Sequence, residues 1–192
     1  MPGGLEPMLV EMVVESVRVN LQTYQRVVVL KEKGADRYLP IWIGNNEADA
    51  IVIQLQNVPV PRPQTHDLLK AVISQLGAKV SHIVVNDLND EVFYARINVD
   101  LDGRHVEIDS RPSDAIALAV RMQAPIYAED SVLERAGVAL DAESEEVEAS
   151  SRSGEGQSES SSVDPERLPA AFRDFINTLD LDDLGRGGQG KR

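Results

Sequence analysis

Cysteine is absent from the 192 residues, which excludes disulfides and thiolate-held metal centres and removes any chemical need for an oxidising compartment. Aromatic residues make up 4% of the chain, with a single Trp, too few for the array of exposed rings on which single-strand binders stack bases. Basic residues are outnumbered, 19 Lys and Arg against 32 Asp and Glu. Non-specific duplex binding through counterion release is therefore disfavoured, and any contact with nucleic acid must rest on a local cationic site. No run approaches the ~18 apolar residues needed to cross a bilayer, and the opening "MPGGLEPMLVEMVVESV" lacks the basic flank and unbroken apolar core of a signal peptide. These absences predict a cytoplasmic chain with no membrane partner. Phosphate loops of the Walker type, zinc-helix motifs and Gly-flanked Ser nucleophiles are missing as well.

The acidic surplus is unevenly spread. Residues 1–140 hold 13 basic against 19 acidic side chains, and residues 141–192 hold 6 against 13. From Asp141 to Val163 the sequence "DAESEEVEASSRSGEGQSESSSV" carries almost no large apolar side chain. It cannot bury enough surface to offset its ordering entropy, so 141–163 reads as a disordered linker. Beyond it Leu168, Phe172, Phe175, Ile176 and Leu179 fall near helical spacing, with Asp164 placed to cap and Pro165 in the first-turn slot, which predicts a short amphipathic helix over 164–180. Residues 181–192 read as a frayed tail.

Residues 1–140 form the expected domain. Val17, Val19 and Leu21 alternate with polar neighbours, "RVVVLKEK" is β-branched, and "YLPIWIG" is strand-like, although Pro40 confines it to an edge or an irregular position. Two helical stretches follow: Ala48, Ile51, Val52 and Leu55, then Leu69, Val72, Ile73 and Leu76 before Gly77 as a stop. A second strand group, "KVSHIVVND", "EVFYARINVDL" and "RHVEIDS", includes the hairpin chemistry of "DLDGR". An apolar helix, "PSDAIALAVR", a short strand, "PIYAE", and "SVLERAG", in which Ser131 and Glu134 have capping-box spacing, complete it. Strands in runs and helices in runs predict an α+β fold with a mixed or antiparallel sheet and helices packed against it. The β-rich core, with an edge near Pro40, also permits a homodimer.

Three helix starts share a pattern. "GNNEADAIVIQL", "RPQTHDLLKAV" and "RPSDAIALAV" each place polar residues before an apolar run and an acid in or near the first turn: Glu47 with Asp49, Asp67, and Asp114. A carboxylate there meets unpaired amides and the positive end of the helix dipole, worth ~0.3–1 kcal/mol, so each acid has an ordinary structural explanation. A second explanation requires the three ends to converge. A cleft would then hold Glu47, Asp67 and Asp114 as oxygen ligands for Mg²⁺ or Mn²⁺, with Arg62, Arg111 and Ser113 for phosphate, and His66, Asp67, Asp109 and Asp114 for catalysis. His66 would move protons near neutral pH. His82, His105 and Trp42 read as structural, since they sit in strand patterns without ligand spacing.

The blocks "YLPIWIGNNEADAI", "RPQTHDLL" and "IDSRPSDAIALAVR" followed by "API" resemble, in this order, the bifunctional nuclease family, over about Met8 to Gly137; "FRDFINTLDLDDL" resembles the short C-terminal helix of many bacterial members. The resemblance implies an α+β domain and, from the plant members, nuclease activity on RNA and DNA. It supplies no mechanism, so the site roles above remain a reading of the residues. Two functions fit these residues: a metal-assisted nuclease acting on RNA or single-stranded DNA, and a non-enzymatic regulatory or binding module whose tethered C-terminal helix docks on a protein partner.

Overall fold

The computed structural model describes residues 7–20 and 24–139. The linker expected at 141–163, the helix expected at 164–180 and the tail expected at 181–192 lie outside the described residues. Among those described, the chain runs β1 (Leu9–Val19), β2 (Arg26–Glu32), β3 (Arg37–Ile43), α1 (Asn45–Leu55), α2 (Thr65–Gln75), β4 (Lys79–Asn89), β5 (Val92–Leu101), β6 (Arg104–Ser110), α3 (Pro112–Met122), β7 (Ile126–Glu129), α4 (Asp130–Ala136) and β8 (Val138–Ala139). The fold is α+β, as the blocks of strands and helices predict.

All eight strands join one sheet in the order β6-β5-β4-β7-β1-β2-β3-β8. Every described pairing is antiparallel except β4 with β7, which run parallel with Ile83 opposite Ile126. A parallel pair needs a crossover, and the β5-β6 hairpin followed by α3 supplies it. The hairpin turns on Asp102 and Gly103, both at positive φ (50° and 75°). This is the conformation that a two-residue Asp-Gly turn favours, because its twist matches that of the flanking strands.

β1 begins well before the alternating stretch Val17–Leu21. Its first half pairs with β7 from Leu9 to Met12 and the rest with β2, with a bulge between Val14 and Ser16. An inserted residue shifts the inside-outside alternation by one, which is why "LVEMVVESV" does not read as a strand by period alone. Pro40 lies on β3, where β8 covers only Arg37 and Tyr38. From Leu39 onward β3 is the outer strand among the described residues, the edge position to which a proline within a sheet is confined.

The core lies between one sheet face and the helices. Val28, Leu30, Leu39, Ile41, Ile83, Val85, Ala95 and Ile97 meet Ala115, Ile116, Ala117, Leu118 and Ala119 of α3. α3 packs on β4 and β5 on one side and on α1 and α2 on others, so it is buried nearly all round. That is the reason for its unbroken apolar sequence: a helix with no solvent face shows no polar stripe. α4 packs on β3, β4 and β7. Its N-cap is Glu129, with no side-chain cap bond. Ser131 therefore lies inside the helix, and the capping-box expectation for Ser131 and Glu134 is corrected.

The turn after α2 matches the expectation for Gly77. Ala78 N donates to Ile73 O at 3.1 Å and Gly77 N to Ser74 O at 3.1 Å, with Gly77 at φ 75°. This Schellman arrangement satisfies carbonyls that the helix end leaves open. No helix of the described residues is long and apolar enough to cross a membrane.

Candidate functional site

Counting from their N-caps, Gly44, Gln64 and Arg111, the acids Glu47, Asp67 and Asp114 occupy the same third position of α1, α2 and α3. That position faces the open amides of the first turn, which is why a carboxylate suits it. What distinguishes the three is where each helix points its first turn.

Those three helix starts meet. Asn46, Glu47 and Ala50 of α1, Gln64, Thr65 and His66 around the start of α2, and Arg111 and Asp114 at the start of α3 line one cleft of about 510 Å³. Inside it, His66 Nε2 lies 3.2 Å from Asp114 Oδ1. Arg111 Nε donates to Asp114 Oδ2 at 2.7 Å, and its Nη2 is 3.0 Å from Glu47 Oε1. Burial opposes ionisation of Asp114, but the hydrogen bonds and charges of Arg111 and His66 outweigh it and hold its pKa below the ordinary Asp value. Arg111 is pushed further up, chiefly by Asp114 against an opposing effect of burial, with a lesser contribution from Glu47. His66 is buried, at 9% exposure, whereas the Arg111 side chain is 66% exposed and its outer edge faces solvent.

Gly44 is a close-approach glycine. A Cβ added there would collide with the Glu47 carboxylate, so the bare backbone lets that carboxylate fold back over the start of α1 on the side where Arg111 reaches it.

The other sequence candidates lie elsewhere. Asp67 spends both oxygens outside the cleft: Oδ2 accepts from Gln64 N at 2.8 Å and Oδ1 from Arg121 Nε at 2.7 Å. Burial raises its pKa, and these two partners more than reverse that, leaving it lowered. Asp67 is thus tied to the helix start and does not line the cleft. Asp109 stands opposite Arg96 in β6. Its neighbour Ile108 faces Ile97 of the core, so strand alternation turns Asp109 to the opposite side of the sheet, where it is exposed and absent from the cleft wall. Ser113 is buried and does not line the cleft.

Arg62 and Arg111 differ because their helices start differently. Arg111 is itself the N-cap of α3 with Pro112 in the first turn, whereas α2 starts after Gln64, two residues beyond Arg62. The repeated Arg-Pro therefore places only Arg111 at the cleft. His82 makes an edge contact with Tyr127 and a 3.1 Å hydrogen bond with Ser81 Oγ. His105 pairs with Asp100 at 2.6 Å.

Sequence reasoning missed Arg121. It is 4% exposed at the end of α3, donating to Asp67, to Gln64 Oε1 at 3.0 Å, and to the carbonyls of Ala50 and Ala117, each at 2.9 Å. A signal was present: 114, 117, 118 and 121 form one helical stripe, so a charge at 121 stands on the same face as Asp114.

Comparison with known proteins decides the family. The model of the bifunctional nuclease domain matches residues 28–141. The chain belongs to the bifunctional nuclease domain family. An uncharacterized protein of Mycobacterium tuberculosis (strain H37Rv) is 38% identical over 174 residues, covering 91% of this chain and 97% of its own length. Bifunctional nuclease 2 of Oryza sativa subsp. japonica is 30% identical over 118 residues, covering 59% of this chain and 36% of the plant protein. Bifunctional nuclease 1 of Arabidopsis thaliana is 29% identical over 103 residues, covering 52% and 32%. The chain thus spans about a third of the length of these plant bifunctional nucleases. Among the described residues, no three His, Cys, Asp or Glu side chains come together as a metal-binding group.

Proposed function

We propose that the cleft at the three helix starts hydrolyses phosphodiester bonds in RNA or single-stranded DNA. The observation that carries this reading is the contact chain His66–Asp114–Arg111–Glu47 in one open cleft, within a domain of the bifunctional nuclease family. Asp114, ionised at neutral pH, accepts from His66 Nε2 and fixes the ring. The other ring nitrogen, Nδ1, is then the base that takes a proton from the attacking water. Attack at phosphorus forms the new P–O bond and breaks the ester bond. The leaving oxygen recovers a proton from the His66 imidazolium. Arg111 offers the exposed edge of its guanidinium to the phosphate oxygens and balances charge that develops there.

Glu47 and Asp114, now bridged by Arg111, have the hard oxygen chemistry that Mg²⁺ or Mn²⁺ requires. Such an ion would lower the pKa of a bound water and neutralise phosphate, with water and substrate oxygens completing its shell. The test is cleavage of labelled single-stranded RNA and DNA by protein purified to constant specific activity, with either metal or with chelator. The expected result is turnover that Asp114→Ala reduces by at least ~100-fold while the circular dichroism spectrum is retained. Activity that persists in the variant, or that leaves the wild-type protein during purification, would contradict the proposal.

One observation favours a second reading, a protein-binding module. α2 leaves Leu68, Leu69, Val72 and Leu76 exposed, Leu76 at 71%, and clustered exposed apolar side chains mark contact surfaces. In this reading the C-terminal segment 164–180 docks on a protein partner.

A further inference from the structure

We propose that Arg121 is a positioning residue for the cleft, holding the first turn of α2 so that His66 faces Asp114. The claim rests on the nuclease reading for its kinetic readout only. Arg121 contributes nothing to the cleft wall, yet its guanidinium reaches two residues that do, Ala50 and Gln64. It also reaches Asp67, the residue next to His66. A single buried fork thus joins α1 through Ala50, α2 through Gln64 and Asp67, and its own helix α3 through Ala117. These are the three helices that line the cleft.

The arrangement is stiff for a physical reason. A guanidinium is planar, and four of its five N–H groups are aimed at fixed acceptors on three helices, so a shift of any one helix breaks a bond to a buried guanidinium. α2 needs such a hold. It makes its main helix contacts with α3 and buries only His66 among its own residues, so apolar packing alone fixes it weakly. Lys70 adds a second tie from α2, donating from Nζ to Arg121 O at 2.7 Å. A flat, fully charged Arg is more than a core of similar volume requires, since a well-packed apolar group is often as stabilising as a buried ion pair. What an apolar group could not do is set the rotation of the α2 start.

Arg121→Lys separates positioning from bulk stability. Lysine keeps the charge and much of the stem, and it can pair with Asp67, but one ammonium cannot reach Gln64 and both carbonyls together. Crystal structures of the wild-type and Arg121→Lys proteins should show the His66 Nε2 to Asp114 Oδ1 distance opening beyond hydrogen-bond range. On a single-stranded RNA substrate, kcat should fall by roughly 10- to 100-fold with KM almost unchanged. If Arg121→Lys does not fold, Gln64→Ala removes one arm of the fork at the helix cap and should move both readouts the same way by less. An unchanged His66–Asp114 distance with wild-type kcat would overturn the proposal, as would a loss confined to KM. If the wild-type protein cleaves neither RNA nor DNA, the nuclease reading fails by itself, and the distance decides the positioning claim.

Discussion

Asp67 and Asp114 have the same residue type at the same position of their helices, and their partners divide their work. Asp114 faces a cleft with His66 and Arg111, whereas Asp67 is held by Gln64 and Arg121. Both have lowered pKa values. A carboxylate whose folded pKa is lowered contributes stability that is fully present above the unfolded Asp value of about 3.9 and is lost as pH falls through the folded value. Asp67→Asn should therefore reduce the urea midpoint at pH 7 and flatten its fall between about pH 5 and pH 2 relative to wild type. An identical pH profile in the variant would show that the Asp67–Arg121 pair contributes no acid-labile stability. At this scale the sequence indicated which residue types mattered but not their directions. Asp67, Asp109 and Asp114 all look like ligands in a string of letters; the strand register that turns Asp109 away and the buried arginine that claims Asp67 are long-range facts.

α3 is the element that organises the domain, and its role follows from its sequence more fully than that of any other segment. Pro112 starts it, Asp114 stabilises its first turn, and Ala115, Ala117 and Ala119 let the sheet and two helices approach it. Ile116 is fully buried, and replacing it with Ala should cost about 2–5 kcal/mol in urea unfolding. A cost below about 1 kcal/mol would mean that α3 is not the centre of packing. β1 was less legible because its bulge breaks the period of two and because it changes partner from β7 to β2 along its length. α2 has the reverse character. Its apolar spacing predicts a buried face, yet Leu69 and Val72 remain substantially exposed, since periodicity shows that a face exists and not that anything within the domain covers it.

For the whole molecule, the α+β class was readable because strands and helices come in runs, and the family because several blocks occur in order. The convergence of three helix starts was only a condition, since nothing in the sequence between 44 and 114 states how helices that start 20 to 67 residues apart are laid on a sheet. The nuclease and docking readings make opposite forecasts for removal of residues 164–180. A catalytic cleft confined to the described domain keeps its turnover, whereas a docking module loses its partner in a pull-down; lost turnover would contradict a self-contained cleft. The most direct measurement compares kcat of Asp114→Ala with that of Asp109→Ala on the same single-stranded RNA, both proteins confirmed as folded. A catalytic role for the His66–Asp114–Arg111 contacts predicts a loss of at least ~100-fold for Asp114→Ala and near wild-type turnover for Asp109→Ala. Equal losses, or a loss only in Asp109→Ala, would contradict it.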